Sequence, residues 1–586
     1  MRLFKTTVIS ILLFVVSTAA FAQSQEINVP LRFDHYYDYS QLVEALKALN
    51  NAYPDMTSIE VIGQSEEDRD IWSLTINNSK TGKPLSKPGI YVDGNIHGNE
   101  IQATEVNLYL MNYLLTNYSS NQQVTKLVDR NAFYFIPSIN VDGRYHFFND
   151  ANTPSTNRAL RIAKDDDRDG LFDEDFPEDL NGDGSINQMR KKDPFGQWKT
   201  DTEDPRIMVR VEPGEMGEWT ILGQEGIDND DDGRVNEDSE GYVDPNRNWG
   251  SNWAPPYVQS GAGNYPYSGN VTKAVTQFLM ERPNTIVVFA FHNNGGMFLR
   301  GPGSKSEGPL NPQDIAVYDI LGENAEKIVP GYRYLISWKD LYHTYGDFTE
   351  FTYNQVGAYS FVGELFMPED ETYTAHDEKE QGTEEEDQGF GSSTEQEQER
   401  LKFNDYVVQG SLYNEWSSYD HPTYGEIEIG GWTKMSSRLP HPFMLQDLVH
   451  RNASSVMYAA SQTPDINMEI FETKAIDDDL YQVRVRLVNK NAIPTMTFHS
   501  VKNKLYPQDM LKVNGNRAQV ISGGKLTDKY NNRVDYKEHK PGIQFLRIPG
   551  NQAVEYQFLV EGSGGSITVE YNSRKAGTLT AKTELN

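Results

Sequence analysis

Short apolar runs closed by turn residues recur along the first two thirds of the chain. Residues 71–76, 89–92, 132–136 and 286–291 are too short for core helices and read as strands, and 57–62 alternates as a strand does. Residues 40–53 carry Leu42, Val43, Leu46 and Leu49 at helical spacing, with Ser40 as the expected N-cap, and 101–115 form a second, mostly apolar helix. Strands alternating with helices predict an α/β fold. A further strand, 358–365, is mostly apolar with Glu364 its one charged residue, and 442–460 reads as an amphipathic helix with Met444, Leu445, Leu448 and Val449 on one side. After Thr463-Pro464 the pattern changes. Runs at 467–473, 480–488, 496–501, 519–521, 544–548, 553–560 and 565–571 are separated by turn residues, which predicts a β-sandwich of about seven strands across 465–586.

Two stretches fit neither pattern. Residues 1–22 join Arg2 and Lys5 to an apolar run and end in Ala20-Phe21-Ala22, the form of a cleaved signal peptide and not of a spanning helix. The expected location is therefore exported, periplasmic or extracellular, with 23–462 as the main unit. No later stretch is long and apolar enough to cross a bilayer, so stable membrane insertion is not expected. Residues 369–400 are dense in Glu, Asp, Gln, Gly and Ser, and read as a disordered acidic insertion.

Charge and cysteine content narrow the partners. Lys and Arg total 53 against 85 Asp and Glu, a formal net charge of −32, which argues against nucleic acid and anionic membranes and favours divalent cations. With 0 cysteines there are no disulfides, and any zinc must be held by His and carboxylate.

The candidate chemistry begins at Tyr91-Val-Asp-Gly-Asn-Ile-His-Gly-Asn-Glu100. His97 and Glu100 fall just past a strand end, where open α/β sheets put their ligands, and three-residue spacing on a helical turn points both the same way. They suit two of three zinc ligands; His292, at the end of the 286–291 strand, is the natural third. Glu364, inside an apolar strand, needs a partner because an unpaired buried carboxylate is costly, and water activated by a metal would serve. In Asp244-Pro-Asn-Arg-Asn, Asn246 and Arg247 read as a clamp for a carboxylate.

Three acidic loops lie between about 160 and 240. Asp165, Asp167 and Asp169, with Asp173 following beyond Gly170; Asp179, Asn181 and Asp183; and Asp228, Asp230 and Asp232 place oxygen ligands at alternate positions before a Gly, the arrangement of a short calcium loop. Ca2+ is therefore a candidate ligand beside Zn2+.

Taken in order, these residues resemble a zinc carboxypeptidase of the carboxypeptidase A-like family, over about residues 35 to 460. The resemblance implies a mixed sheet of about eight strands flanked by helices. It further implies His97, Glu100 and His292 as zinc ligands, Glu364 as general base and Arg190 as the oxyanion arginine. Asn246 and Arg247 would hold the substrate carboxylate, Tyr342 would be a mobile cover, and Asp244 would support the first histidine. Peptides with a free C-terminus are the implied substrates, and Asp347 and Glu350 lie in the segment that by resemblance contributes to the pocket for the terminal residue, where they read either as a match for a basic side chain or as exposed loop acids. Departures are Asn99, where pancreatic-type relatives have arginine, and Asn293-Asn294 after the distal histidine. Two other expectations stand beside this one: a γ-D-glutamyl-diaminopimelate cell-wall peptidase on the same fold, and a non-catalytic, calcium-dependent surface binding protein. The partner of the sandwich is unknown.

Overall fold

The computed structural model describes residues 29–585 apart from 152–159, 161, 167, 174, 238–239, 367–393 and 437. The expected signal peptide, most of the expected acidic insertion and Asp167 lie outside the described residues.

An eight-stranded mixed sheet forms the centre. Its strands are β1 (Thr57–Gln64), β2 (Asp70–Ile76), β3 (Gly89–Gly94), β4 (Ala132–Ile136), β5 (Thr285–Asn293), β6 (Met297–Arg300), β7 (Arg333–Ile336) and β8 (Tyr359–Leu365). They lie in the order β1-β2-β4-β3-β5-β8-β6-β7, with β4, β3, β5 and β8 mutually parallel. All nine residues of β5 are buried, as expected for a central parallel strand covered on both faces.

Strand alternation divides the core into two layers. On one face Val287, Phe289 and Phe291 join Tyr359, Phe361 and Leu365 under the helices Gln102–Asn117 and Leu445–Ser461. On the other, Val288 and Ala290 pack with Tyr91, Trp249, Phe278 and Phe348. A strand repeats every two residues, so His292 and Glu364 both continue this second face. The parallel register pairs Glu364 with His292 directly, which sets them side by side on neighbouring strands. Gly363 allows this pairing: a Cβ there would come within 2.7 Å of the Phe291 ring.

The C-terminal unit is a sandwich of five-stranded and four-stranded antiparallel sheets around Val483, Leu511, Phe558, Val569 and Tyr571. It exceeds the expected seven strands because Asp509–Asn516, Arg533–Tyr536 and Gly577–Leu585 are strands too. Residues 496–501, expected as a strand, lead instead into the helix Phe498–Asn503, since the Thr497 side chain accepts from Ser500 N and caps it. Asp314, on the helix Pro312–Ile328, accepts from the Tyr353 and Tyr359 hydroxyls and from Phe498 N and His499 N, so one buried carboxylate joins the sandwich to the central unit.

Three further expectations need correction. The first helix is Tyr39–Ala52, capped not by Ser40 but by Asp38, whose carboxylate accepts from Gln41 N while the Gln41 side chain accepts from Asp38 N. Residues 394–400, expected to be disordered, belong to the helix Thr394–Tyr406, which buries Leu401 and Asn404. The 160–240 stretch is more than acidic loops: Gln188–Lys192, Trp198–Thr200, Met208–Arg210 and Trp219–Gln224 join Tyr413–His421 and Gly425–Trp432 in a separate six-stranded sheet. Among the described residues no helix is long and apolar enough to cross a membrane.

Candidate active site

The loop after β3 is shaped by backbone contacts. Asn95 takes a positive φ of 56°, its side-chain amide donates to His97 O at 2.8 Å, and Arg144 and Ser138 donate to its Oδ1. Gly98 is needed because a Cβ there would meet the Gly143 backbone at 2.8 Å. His97 and Glu100 are thereby turned back over the sheet edge, toward the end of β5.

Three side chains converge there. His97 Nδ1 lies 2.9 Å from Glu100 Oε1, His292 Nδ1 lies 3.0 Å from Glu100 Oε2, and the two imidazole centroids are 5.0 Å apart. Candidate ligand atoms of all three fall within 4.8 Å of one another. Glu100 is 3% exposed, and its Oε2, although close to His292, has no well-formed hydrogen bond. A buried oxygen left without a donor between two imidazole nitrogens fits a cation in the middle, and the nitrogen and carboxylate donor set fits zinc. Behind it, Asp244 Oδ1 lies 3.2 Å from His97 Nε2, so the ring nitrogen turned away from the centre is held by a carboxylate.

The charges balance locally. Burial works against charge on Glu100, yet His97 and His292 hold its carboxyl down at about 2. Burial likewise opposes charge on His97, but Glu100 and Asp244 push its imidazole well up. Glu364 behaves differently: burial pushes it up to about 7, with the neighbouring Glu100 adding to the rise. A carboxyl poised near neutrality beside metal ligands suits a proton carrier.

One pocket joins these groups to the recognition residues. His97, His292, Glu364, Asn246, Arg247, Tyr342, Leu299, Val362, Thr344, Thr349 and Asp347 all line it. Asp244 accepts from Asn246 N and caps the short turn Pro245–Arg247, and the Asn246 side chain accepts from Phe348 N, so the clamp is anchored at both ends. Tyr342 is 53% exposed, with its ring centroid 6.0 Å from the Arg247 guanidinium. Glu350 does not line this pocket; it accepts from Gly303 N and lines a neighbouring cavity with Thr349 and Tyr353. A larger cavity of ≈ 390 Å³, walled by Trp198, Tyr413, Trp416 and Trp432, contains none of these groups.

Arg190 is not brought to the site. Its strand, Gln188–Lys192, lies in the six-stranded sheet, where Nε and Nη2 donate to Glu428 Oε2 at 2.9 and 2.7 Å. Its guanidinium is also stacked between Trp219 and Trp416, at 4.2 and 4.0 Å from the ring centroids. These contacts occupy the charge, which corrects the expectation of an oxyanion role. A different arginine stands at the metal ligands: Arg438 Nη1 is 3.4 Å from Glu100 Oε1 and 3.3 Å from Asn293 O. No motif surrounds Arg438 in the sequence, and only the folded chain brings it there.

The zinc carboxypeptidase family matches residues 42–204 and 222–389, more than half of the chain. The chain belongs to that family. Among similar proteins, human carboxypeptidase D is 41% identical over 117 residues, 20% of this chain and 8% of that protein. Mouse carboxypeptidase M is 30% identical over 111 residues, 19% of this chain and 25% of that protein. The matched segments are thus a small part of these relatives' length. Among solved structures, carboxypeptidase A from Helicoverpa armigera aligns over 76% of this chain and 78% of its own, at 16% identity and a TM-score of 0.44. Residues 465–584 match a domain of unknown function, DUF8731.

In this member of the family the acidic loops gather carboxylates unevenly. Asp228, Asp230 and Asp232 come together, and Asp179 and Asp183 meet Glu225, a partner not expected from the sequence. Glu225 is buried and accepts from Asn187 N and Leu180 N. Asn181 Oδ1 accepts from Asp183 N. In the first loop Asp165 and Asp169 accept from backbone N–H groups of their own turn, and Asp173 accepts from Lys164 N and Gly241 N.

Proposed function

We propose that the protein is a zinc-dependent exopeptidase that removes the C-terminal residue of peptides, preferring a basic one. The observation that carries this reading is the single pocket that unites His97 and His292 with Glu364, Arg247 and Asp347. When bound, zinc supplies Lewis acidity, polarising a carbonyl and acidifying water. Glu364, beside His292, takes a proton from water and later delivers it to the leaving amine. Arg247 and Asn246 hold the terminal carboxylate; an internal peptide offers them none, which selects chain ends.

The walls of the pocket support the basic preference. Leu299 and Val362 provide apolar sides for a long stem, and Asp347, 6% exposed, shares the lining, with Thr344 and Thr349 donating to its carboxylate at 2.8 and 2.7 Å. A lysine or arginine head would complete a charge-assisted pair there. The complete set of ligands and acid argues against a retired site with a binding role only.

Peptides ending in Arg, Lys, Leu or Glu, each with a free and an amidated C-terminus, test this reading by release of the terminal residue. Free Arg and Lys ends are expected to react fastest and amidated ends not at all. Asp347→Asn is expected to lower the Arg-to-Leu ratio of kcat/KM by about 10–100-fold, the worth of a hydrogen bond to a charged group. Equal cleavage of amidated peptides would remove the exopeptidase reading, and an unchanged ratio would remove Asp347 from selectivity.

A further inference from the structure

With Arg190 held between two tryptophans, the developing negative charge on the attacked carbonyl needs another donor. We propose that Arg438 is that donor, a catalytic residue that binds the carbonyl oxygen of the scissile peptide bond. The inference rests on the exopeptidase reading above, but names a residue that neither the motif order nor the pocket for the terminal residue contains.

Three observations carry it. The first is position: Arg438 reaches Glu100 and Asn293 O, next to the metal ligands, and its charge acts on Glu364. It does not line the pocket that holds Arg247 and Asp347, so it flanks the metal centre outside the terminal-residue subsite. The second is availability. Its hydrogen bonds among the described residues run through Nη1 and are long, at 3.3 and 3.4 Å, while its side chain is 44% exposed. Nε and Nη2 are left for a ligand, and a weak bond to Glu100 is readily exchanged for one to a carbonyl oxygen.

The third is the way the segment is held. Arg438 has a φ of 63°, a left-handed conformation that a long side chain seldom adopts and that persists only where the surroundings impose it. Those surroundings are identifiable. Asn293 Nδ2 donates to Arg438 O at 3.0 Å and to Gln102 Oε1 at 2.9 Å. Leu439 is buried with Ile101, Phe147 and Leu445, and the Tyr36 hydroxyl donates to Pro440 O at 2.6 Å. Asn293 follows the distal ligand His292 directly, so the strand that presents a metal ligand also fixes the arginine loop. That gives a physical reason for an asparagine directly after the distal ligand. A preorganised cation beside a forming oxyanion is among the largest electrostatic contributions to catalysis.

Arg438→Ala, Arg438→Lys and Arg190→Lys, each in the full chain loaded with zinc, form the test. Turnover of a free-ended Arg peptide, zinc content, and calorimetric affinity for a phosphonate peptide analogue and for free arginine are measured. Arg438→Ala is expected to lower kcat about 100-fold with little change in KM or zinc content. It should weaken the phosphonate by a similar factor while leaving free arginine unaffected, and added guanidinium should restore part of the lost rate. Arg190→Lys, if folded, should keep kcat within about threefold of wild type, as expected of a residue outside the reacting centre. Unchanged kcat and phosphonate affinity in Arg438→Ala would overturn the assignment, as would loss of zinc in place of phosphonate binding. A wild type that fails to hydrolyse peptides would instead defeat the exopeptidase reading, and the phosphonate affinities would still decide the role of Arg438.

Discussion

Glu364→Gln is expected to lower kcat by about 10⁴-fold, the upper end for loss of a general acid–base group, because one carboxyl serves both proton transfers. Zinc content and substrate affinity should be retained. The argument is geometric. Glu364 does not belong to the cluster of His97, Glu100 and His292, yet it is paired in register with His292 and lines the same pocket. Gln preserves shape and burial but cannot accept and return a proton. Burial raises the native carboxyl to about 7, so the variant also relieves an unfavourable buried charge, and the folded chain should be no less stable. Steady-state kinetics with parallel metal analysis check this. A variant turning over at more than a tenth of the wild-type rate would exclude Glu364 as the proton carrier.

Lys575→Ala is expected to lower the unfolding free energy by about 3–5 kcal/mol, combining carbonyls left without a donor and the cavity of a missing side chain. Lys575 sits in the turn between Gly565–Ser573 and Gly577–Leu585. In the folded chain it is fully buried, and its ammonium donates to Thr285 O, to Val356 O at 2.8 Å and to Gly357 O at 3.0 Å. Burial, followed by the charge of Arg574, pushes that ammonium well below the usual lysine range. Thr285 opens β5 and Gly357 lies just before β8, the two strands that carry His292 and Glu364 one residue from their ends. The sandwich therefore grips the base of the strands whose tips carry the chemistry. Urea unfolding followed by tryptophan fluorescence should show a lower midpoint, with the sandwich and the central unit separating into distinct transitions. An unchanged single transition would mean that the junction rests on Asp314 and its partners alone.

These cases show what could be read from the residues. Six of the eight central strands were legible as short apolar or alternating runs ended by turn residues, whereas Met297–Arg300 and Arg333–Ile336, four residues each, were too short to stand out; His97, Glu100 and His292 were legible because they follow such runs directly. Glu364 was legible as the one acid in an apolar strand. Arg190 was misread because its place in the order of motifs says nothing about a second sheet, and one edge of that sheet, Tyr413–His421, is mostly charged or polar and lacks a core-strand pattern. Lys575 and Arg438 carried no local signal, since each acts across contacts with residues far away in sequence. The helix Thr394–Tyr406 was missed for a related reason: its buried face is thin, and it is steadied by the Trp432 indole donating to Glu397 at 2.7 Å.

The measurement closest to the heart of the account is the zinc stoichiometry of the full chain after extensive dialysis, wild type beside His292→Ala. A folded wild type that keeps one zinc ion per chain, and a folded variant that keeps none, is the predicted result. Equal zinc in both, or no retention by a wild type supplied with zinc beforehand, would contradict it.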